Sequence, residues 1–333
     1  MPPRSATRER RPVKIAFAGK GGSGKTTLSA LFTRYLAASG LPVVAIDADI
    51  NQNLGTALGV APDRLARTPP LGAHLHEIKQ LLRGDNPRIA SAEEMVKTTP
   101  PGRGSRLLDF SPGNPIHQRF GCSVEGATLM LTGPFSEDDL GVSCYHSKIG
   151  AAELYLNHLV DRPGEYVVVD MTAGADSFAS GLFTRFDVTF LVAEPTVRGV
   201  GVYRQYAQYA ADHDVTISVI GNKVQDEADV DFLREHVGDA LAACFGSSSF
   251  VRSMEKGRHP GLDELEGGNA KTLAWMRDTV DAAPKDWARF TRQGVEFHLR
   301  NARAWANEAT GSDLAAQVDP DFVMGPEALA EQR

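Results

Sequence analysis

A short apolar run, Val13-Lys14-Ile15-Ala16-Phe17-Ala18, predicts a buried strand close to the start of the chain. A glycine-rich segment follows at once. Leu28, Leu31, Phe32, Tyr35 and Leu36 then recur at helical spacing, and Gly40 is the natural stop. Pro42 to Asp47 predicts a second strand with an acid at its end. Farther on, the pattern predicts helices near His74–Leu82 and Lys148–Leu159 and strands at Tyr166–Asp170 and Val188–Ala193. A helix near Val200–Ala211 and a strand at Thr216–Gly221 complete the series. Apolar strands that alternate with helices indicate an α/β fold, a mainly parallel sheet with helices on both faces.

Two stretches break this rhythm. Residues 60–142 contain Pro69-Pro70, Pro100-Pro101 and Asn114-Pro115 and read as an insertion or mobile region rather than a βα unit. After Pro260 the strand signals stop. Asn269–Val280 and Lys285–Ala309 read as helices, and the last twenty residues as loosely ordered. The chain thus divides into a disordered tail (1–12), a main α/β domain (13–260, with the insertion at about 60–142) and a helical C-terminal extension (261–333). In the extension, Trp287, Phe290, Phe297, Ala302 and Trp305 share one helix face, opposite Arg289, Arg292, Glu296, Arg300 and Arg303. Such a stripe is expected to pack on the parent domain or a partner. A membrane surface is the less favoured alternative.

Charge narrows the choice of partners. The formal net charge of −7 disfavours a broad nonspecific nucleic-acid surface, so DNA is an unlikely partner. Three cysteines, Cys122, Cys144 and Cys244, cannot build a disulfide framework and suit a reducing compartment. Cys244 is expected in an apolar core helix. The first twelve residues lack the apolar run of a secretory signal, and no stretch approaches the roughly 18 apolar residues of a membrane span. A cytoplasmic protein is the simplest expectation.

The chemistry concentrates after the first strand. Gly19-Lys20-Gly21-Gly22-Ser23-Gly24-Lys25-Thr26-Thr27 satisfies the pattern G-x-x-x-x-G-K-[ST] between a strand and a helix. A polyphosphate needs many donors at close range. Glycines let backbone N–H groups turn inward, and the following helix presents its positive end. Lys25 would reach the β- and γ-phosphates and the Thr26 hydroxyl would ligate Mg²⁺. The main domain is therefore expected to be a P-loop ATPase domain. Val167-Val168-Val169-Asp170 is an apolar strand ending in an acid, and Asp170 would hold Mg²⁺ through water. The other reading of Asp170 is a plain strand-end turn. Asn222 and Lys223 end a further strand, where the base would be read. Gln225 replaces the acid that a guanine reader wants three residues after the asparagine, which favours adenine.

Lys20, at the first variable position of the loop, makes it resemble the deviant Walker A motif of the MinD/ParA/ArsA/NifH group of ATPases. The resemblance implies a homodimer that sandwiches two ATP molecules, with Lys20 reaching a phosphate in the partner subunit. Asp47-Ala48-Asp49-Ile50-Asn51-Gln52-Asn53 resembles the switch I of that group. It implies that Asp49 orients the attacking water, that Asp47 supports it near the metal, and that Asn53 belongs to the site. An Asp/Asn helix cap is the structural alternative. Met171-Thr172-Ala173-Gly174-Ala175-Asp176 resembles switch II, and the Gly174 N–H would meet a γ-phosphate.

Within the group, Gly141-Val142-Ser143-Cys144-Tyr145-His146, the switch II segment and Val192-Ala193-Glu194-Pro195-Thr196 look like the CooC-type ATPases, accessory factors of nickel loading into carbon monoxide dehydrogenase. The resemblance covers about residues 13–255. It implies an ATP-driven switch that assists maturation or metal loading of an unknown client. Those proteins carry C-x-C where this chain has Cys144-Tyr145-His146. A twofold dimer would here supply two Cys and two His to Zn²⁺ or Ni²⁺; a buried thiol beside an unrelated histidine is the other reading. A ParA/MinD-type positioning ATPase on DNA or membrane is the alternative function, and an ATP-dependent amide ligase a further one.

Overall fold

The computed structural model describes residues 13–134, 145–174 and 181–332, the side chains of 145–147 excepted. Eight strands form one sheet: β1 (Val13–Gly19), β2 (Val43–Ala48), β3 (Cys122–Val124), β4 (Ala127–Leu131), β5 (Tyr166–Met171), β6 (Val188–Ala193), β7 (Ile217–Val224) and β8 (Leu241–Gly246). Their order is β3-β4-β2-β5-β1-β6-β7-β8. Every neighbouring pair is parallel except β3 with β4. The helices up to the middle of the chain are α1 (Lys25–Ala38), α2 (Leu54–Ala57), α3 (Pro62–Arg67), α4 (Leu75–Arg83), α5 (Pro115–Phe120) and α6 (Tyr145–His158). There follow α7 (Val197–Asp212), α8 (Glu227–Val237), α9 (Ser249–Glu255), α10 (Gly267–Ala282), α11 (Trp287–Asn301), α12 (Asn307–Thr310) and α13 (Pro326–Ala330).

The central strands β1, β2, β5 and β6 are buried at every position, which is why they read as nearly unbroken apolar runs. Alternate residues serve opposite faces. Ala16, Ile46, Val167 and Val169 pack with Ile78 and Leu82 of α4 and Tyr155 of α6. Ile15, Phe17, Val168 and Phe190 pack with Leu28 and Phe32 of α1 and Met276 of α10. The register sets Phe17 and Asp47 on either side of Asp170, and Gly19 beside Val192. The C-terminal ends of β1, β2 and β5 thus converge, and an open α/β sheet binds ligands at such ends.

Four expectations are corrected. The breaker-rich insertion supplies β3 and β4, and β4 lies parallel to β2 in the sheet. Its five residues between Gly126 and Pro134 carry too little periodicity to stand out. The last twenty residues are not loose, because Leu314, Met324 and Leu329 are buried beside α11. Cys244 lies half-buried in the edge strand β8 and not in a helix; a short apolar run cannot distinguish the two by period. Trp305 leaves the apolar stripe and is 46% exposed. A π-helical turn over Ala302–Ala306 rotates the face after Asn301.

The rest of the stripe packs on the parent domain. Arg185 donates to the Phe290 carbonyl at 3.0 Å, and the Phe297 ring meets Phe183 edge-on. Beneath Trp287 lies a buried charge cluster. Lys14 bonds Asp161 and the Leu159 carbonyl, and Lys285 donates to Asp161 and Asp187, each at 2.8 Å. Both ammonium groups sit over the Trp287 ring, 4.8 and 4.5 Å from its centre. The cluster joins the starts of β1 and β6 to the C-terminal extension, at the end of the sheet away from the glycine-rich loop.

Candidate nucleotide site

The loop from Gly19 to Gly24 leads straight into α1, whose first turn has no side-chain cap. Its N-terminal amides are therefore available to an anion. Only glycine fits position 24: the backbone is left-handed at φ +95°, and a Cβ there would lie 2.2 Å from the Asn222 Nδ2. Gly22, Gly24, Lys25, Thr26 and Thr27 line a cavity of about 840 Å³, together with Asn53, Thr56, Asn222, Lys223, Gln225 and Phe245. The far wall comes from the β8–α9 turn and α9, with Ser247, Ser248, Val251 and Arg252. These wall residues carry no motif. Their one sequence signal is a polar turn after a short apolar run.

Lys25 is buried, and its Nζ lies 3.9 Å from the Asp49 Oδ2. Asp49 accepts from the backbone N–H and the side-chain amide of Asn51 at 2.9 and 3.0 Å, both at Oδ1. Its other oxygen is turned to Lys25. Asp47 is fully buried. Its oxygens accept from the N–H groups of Leu54 (2.8 Å) and Asp49 (3.3 Å), so it shapes the turn that carries Asp49. Burial, reinforced by neighbouring Asp170, pushes its pKa well above the usual carboxylate range. Asn53 occupies the N-cap position of α2 without a side-chain cap bond.

The Thr26 hydroxyl donates to the Asp170 Oδ2 at 2.6 Å. The Asp170 Oδ1 is buried and has no hydrogen-bond partner among the described residues. Burial, opposed by Thr26 and Lys25, pushes the Asp170 pKa up to about 7. A buried carboxylate oxygen lacking a donor, beside a hydroxyl and a phosphate loop, fits a hydrated Mg²⁺, which takes one or two carboxylates and keeps several waters.

Lys20 and Gly21 form the rim of the loop, where Lys20 is half-buried. Gly174 is left-handed at φ +71°, and its carbonyl accepts from the Tyr206 hydroxyl at 3.1 Å. Asn222 and Lys223 reach the loop rather than standing apart from it: Nδ2 of Asn222 donates to the Ser23 carbonyl at 2.7 Å, and Nζ of Lys223 to the Gly22 carbonyl at 2.8 Å. Cys144 and the His146 side chain lie outside the described residues. Among the described residues, no three His, Cys, Asp or Glu are grouped to hold a metal ion. No described helix is long and apolar enough to cross a membrane.

Residues 14–255 match the family described as the CobQ/CobB/MinD/ParA nucleotide binding domain. The chain is 31% identical over 253 residues to the carbon monoxide dehydrogenase accessory protein CooC of Rhodospirillum rubrum, covering 75% of this chain and 88% of that protein. It is 27% identical over 231 residues to an uncharacterized ATP-binding protein of Methanocaldococcus jannaschii, covering 69% and 81%. The MinC:MinD cell division protein complex of Aquifex aeolicus aligns with a TM-score of 0.53 at 17% identity, over 82% of this chain and 98% of that one. The septum site-determining protein MinD complexed with Mg-ADP, from Pyrococcus horikoshii, aligns with a TM-score of 0.52 at 17% identity, over 81% and 96%. At such identities these structures speak to the fold.

Proposed function

The chain belongs to the CobQ/CobB/MinD/ParA nucleotide-binding family, and from that premise we propose an ATP-hydrolysing switch that works as a homodimer and assists the maturation of a client protein. One observation carries the hydrolytic reading: the 2.6 Å bond from Thr26 to Asp170, with the second Asp170 oxygen buried and without a hydrogen-bond partner among the described residues. Thr26 and Asp170 would hold Mg²⁺, which when bound draws charge off the β- and γ-phosphates. Lys25 neutralises the same phosphates from the first turn of α1. Asp49, steadied at one oxygen by Asn51, offers the other to the attacking water, and Asp47 keeps its turn in shape. Lys20 on the loop rim supplies positive charge to the phosphates of the facing subunit, where charge shifts in phosphoryl transfer. Asn53 and Gly174 belong to the two segments that follow the nucleotide state.

The client role rests on the CooC relative, a carbon monoxide dehydrogenase accessory protein by name. Cys144 and His146, doubled across a twofold axis, would be the metal ligands, and zinc or nickel at about one per dimer, lost in Cys144→Ser, is the result to look for. The burial of Phe290 and its neighbours leaves α11 without a free apolar face, which supports this reading over a membrane-positioning one. Turnover of ATP with Mg²⁺ is the direct test. Lys25→Ala should lose ATP binding. If Lys25→Ala binds and hydrolyses ATP like the wild type, the site is elsewhere.

A further inference from the structure

β7 ends in a local distortion. Lys223 has φ +60°, a left-handed conformation that is uncommon outside glycine and strained for a lysine. The pairing with β8 slips between Asn222 and Val224. In a regular strand, successive side chains point to opposite faces. Here two successive side chains reach the same loop. Asn222 donates to the Ser23 carbonyl, and Lys223 to the Gly22 carbonyl. The Lys223 ammonium is held from its other side by Glu194 at 2.5 Å, from the turn after β6.

We propose that Lys223, oriented by Glu194, is a positioning residue of the phosphate loop rather than a reader of the base. The reason lies in the planar peptide. The Gly22 carbonyl and the Ser23 N–H belong to one unit and point in opposite directions. That unit is held at both ends, by Lys223 at the carbonyl and by the Lys20 carbonyl at the N–H, 3.1 Å away. Asn222 holds the next unit by the Ser23 carbonyl, which turns the Gly24 N–H the other way. A glycine-rich loop is flexible when free. Fixing the two successive carbonyls pre-orders the loop, with the Ser23 N–H closed on the Lys20 carbonyl and the Gly24 N–H left for polyphosphate, so less ordering entropy is lost on binding. Lys223 is half-exposed, so the effect is moderate.

The proposal rests on the reading that this loop binds polyphosphate, and the test separates the two. Dissociation constants are measured for Mg–ATP and for Mg–tripolyphosphate, which has no base, with the wild type, Lys223→Met, Lys223→Arg and Glu194→Gln. Lys223→Met should weaken both ligands by the same factor, roughly five- to tenfold, at an unchanged melting temperature. It should raise KM more than it lowers kcat, and Lys223→Arg should recover much of the loss. Glu194→Gln should also weaken both ligands. A role as loose positive charge predicts the opposite sign, because removing an acid near an anion tightens binding. Loss confined to ATP, or tighter binding in Glu194→Gln, would overturn the proposal and leave the nucleotide reading intact. A wild type that binds neither ligand would overturn the nucleotide reading itself.

Discussion

Asp49 and Asp170 lie close together and meet different surroundings. Asp49 has one oxygen fixed by Asn51 and the other facing Lys25. Asp49→Ala should therefore bind ATP nearly as the wild type does and lose at least about 100-fold in single-turnover hydrolysis, the usual worth of a group acting on the attacking water. Asp170 is instead raised to about 7 by burial. The metal-free carboxyl therefore holds a proton more readily than an exposed aspartate, and Mg²⁺ has to displace it. Affinity for Mg²⁺ should fall as pH drops below 7, approach a tenfold loss per pH unit, and level off above. A Mg²⁺ titration in the presence of ADP at several pH values checks this, and Asp170→Asn should lose both the affinity and its pH dependence. In the sequence Asp170 stands out as the acid that ends an apolar strand and Asp49 through the resemblance to switch I; the structure brings both beside the glycine-rich loop. The engagement of Asn222 and Lys223 with the loop was not legible there. It depends on a backbone twist at Lys223 and on the ends of β1 and β7, which have β6 between them in the sheet and are far apart in sequence.

Elements were legible where one strand or helix carried its own pattern. β1, α1, β5 and β6 follow from apolar runs that a doubly covered sheet requires. β4 was not, because its strand character comes from pairing with β2 and not from its own five residues. The C-terminal extension was read as helical, but its attachment was hidden in single residues far apart in sequence. Lys14, Asp161, Asp187 and Lys285 form two buried cations and two buried anions under Trp287. Desolvation lowers the Lys285 pKa, yet its two aspartates raise it above the ordinary value. Lys285→Met leaves both acids with less compensation, so it should cost about 3 kcal/mol in urea unfolding, the order expected for breaking a buried pair. ATP affinity should change little, since the cluster lies at the opposite end of β1 from the loop.

Across the whole molecule, buried histidines contribute to the response to acid. Burial lowers the pKa of both His117 and His158 to about 4. The unfolded chain binds those protons first, near the ordinary 6.5, so the stability that the neutral rings represent is complete above about pH 6.5 and is lost as pH falls toward 4. The raised Asp47 and Asp170 act in the opposite sense over the same window, so the histidine share is read as a difference: on acidification His158→Gln should lose less melting temperature than the wild type. The nucleotide site lies at the C-terminal edge of the sheet and is built from one chain's loop, strand ends and α9. In the proposed switch, the half-buried Lys20 on its rim would act on the phosphates of a second copy. Light scattering of Asp49→Ala, which should bind ATP without consuming it, therefore tests the switch most directly. With ATP and Mg²⁺ the account predicts the mass of two chains, with ADP or without nucleotide the mass of one, and no shift in Lys25→Ala. A mass that stays at one chain while ATP is demonstrably bound would contradict it.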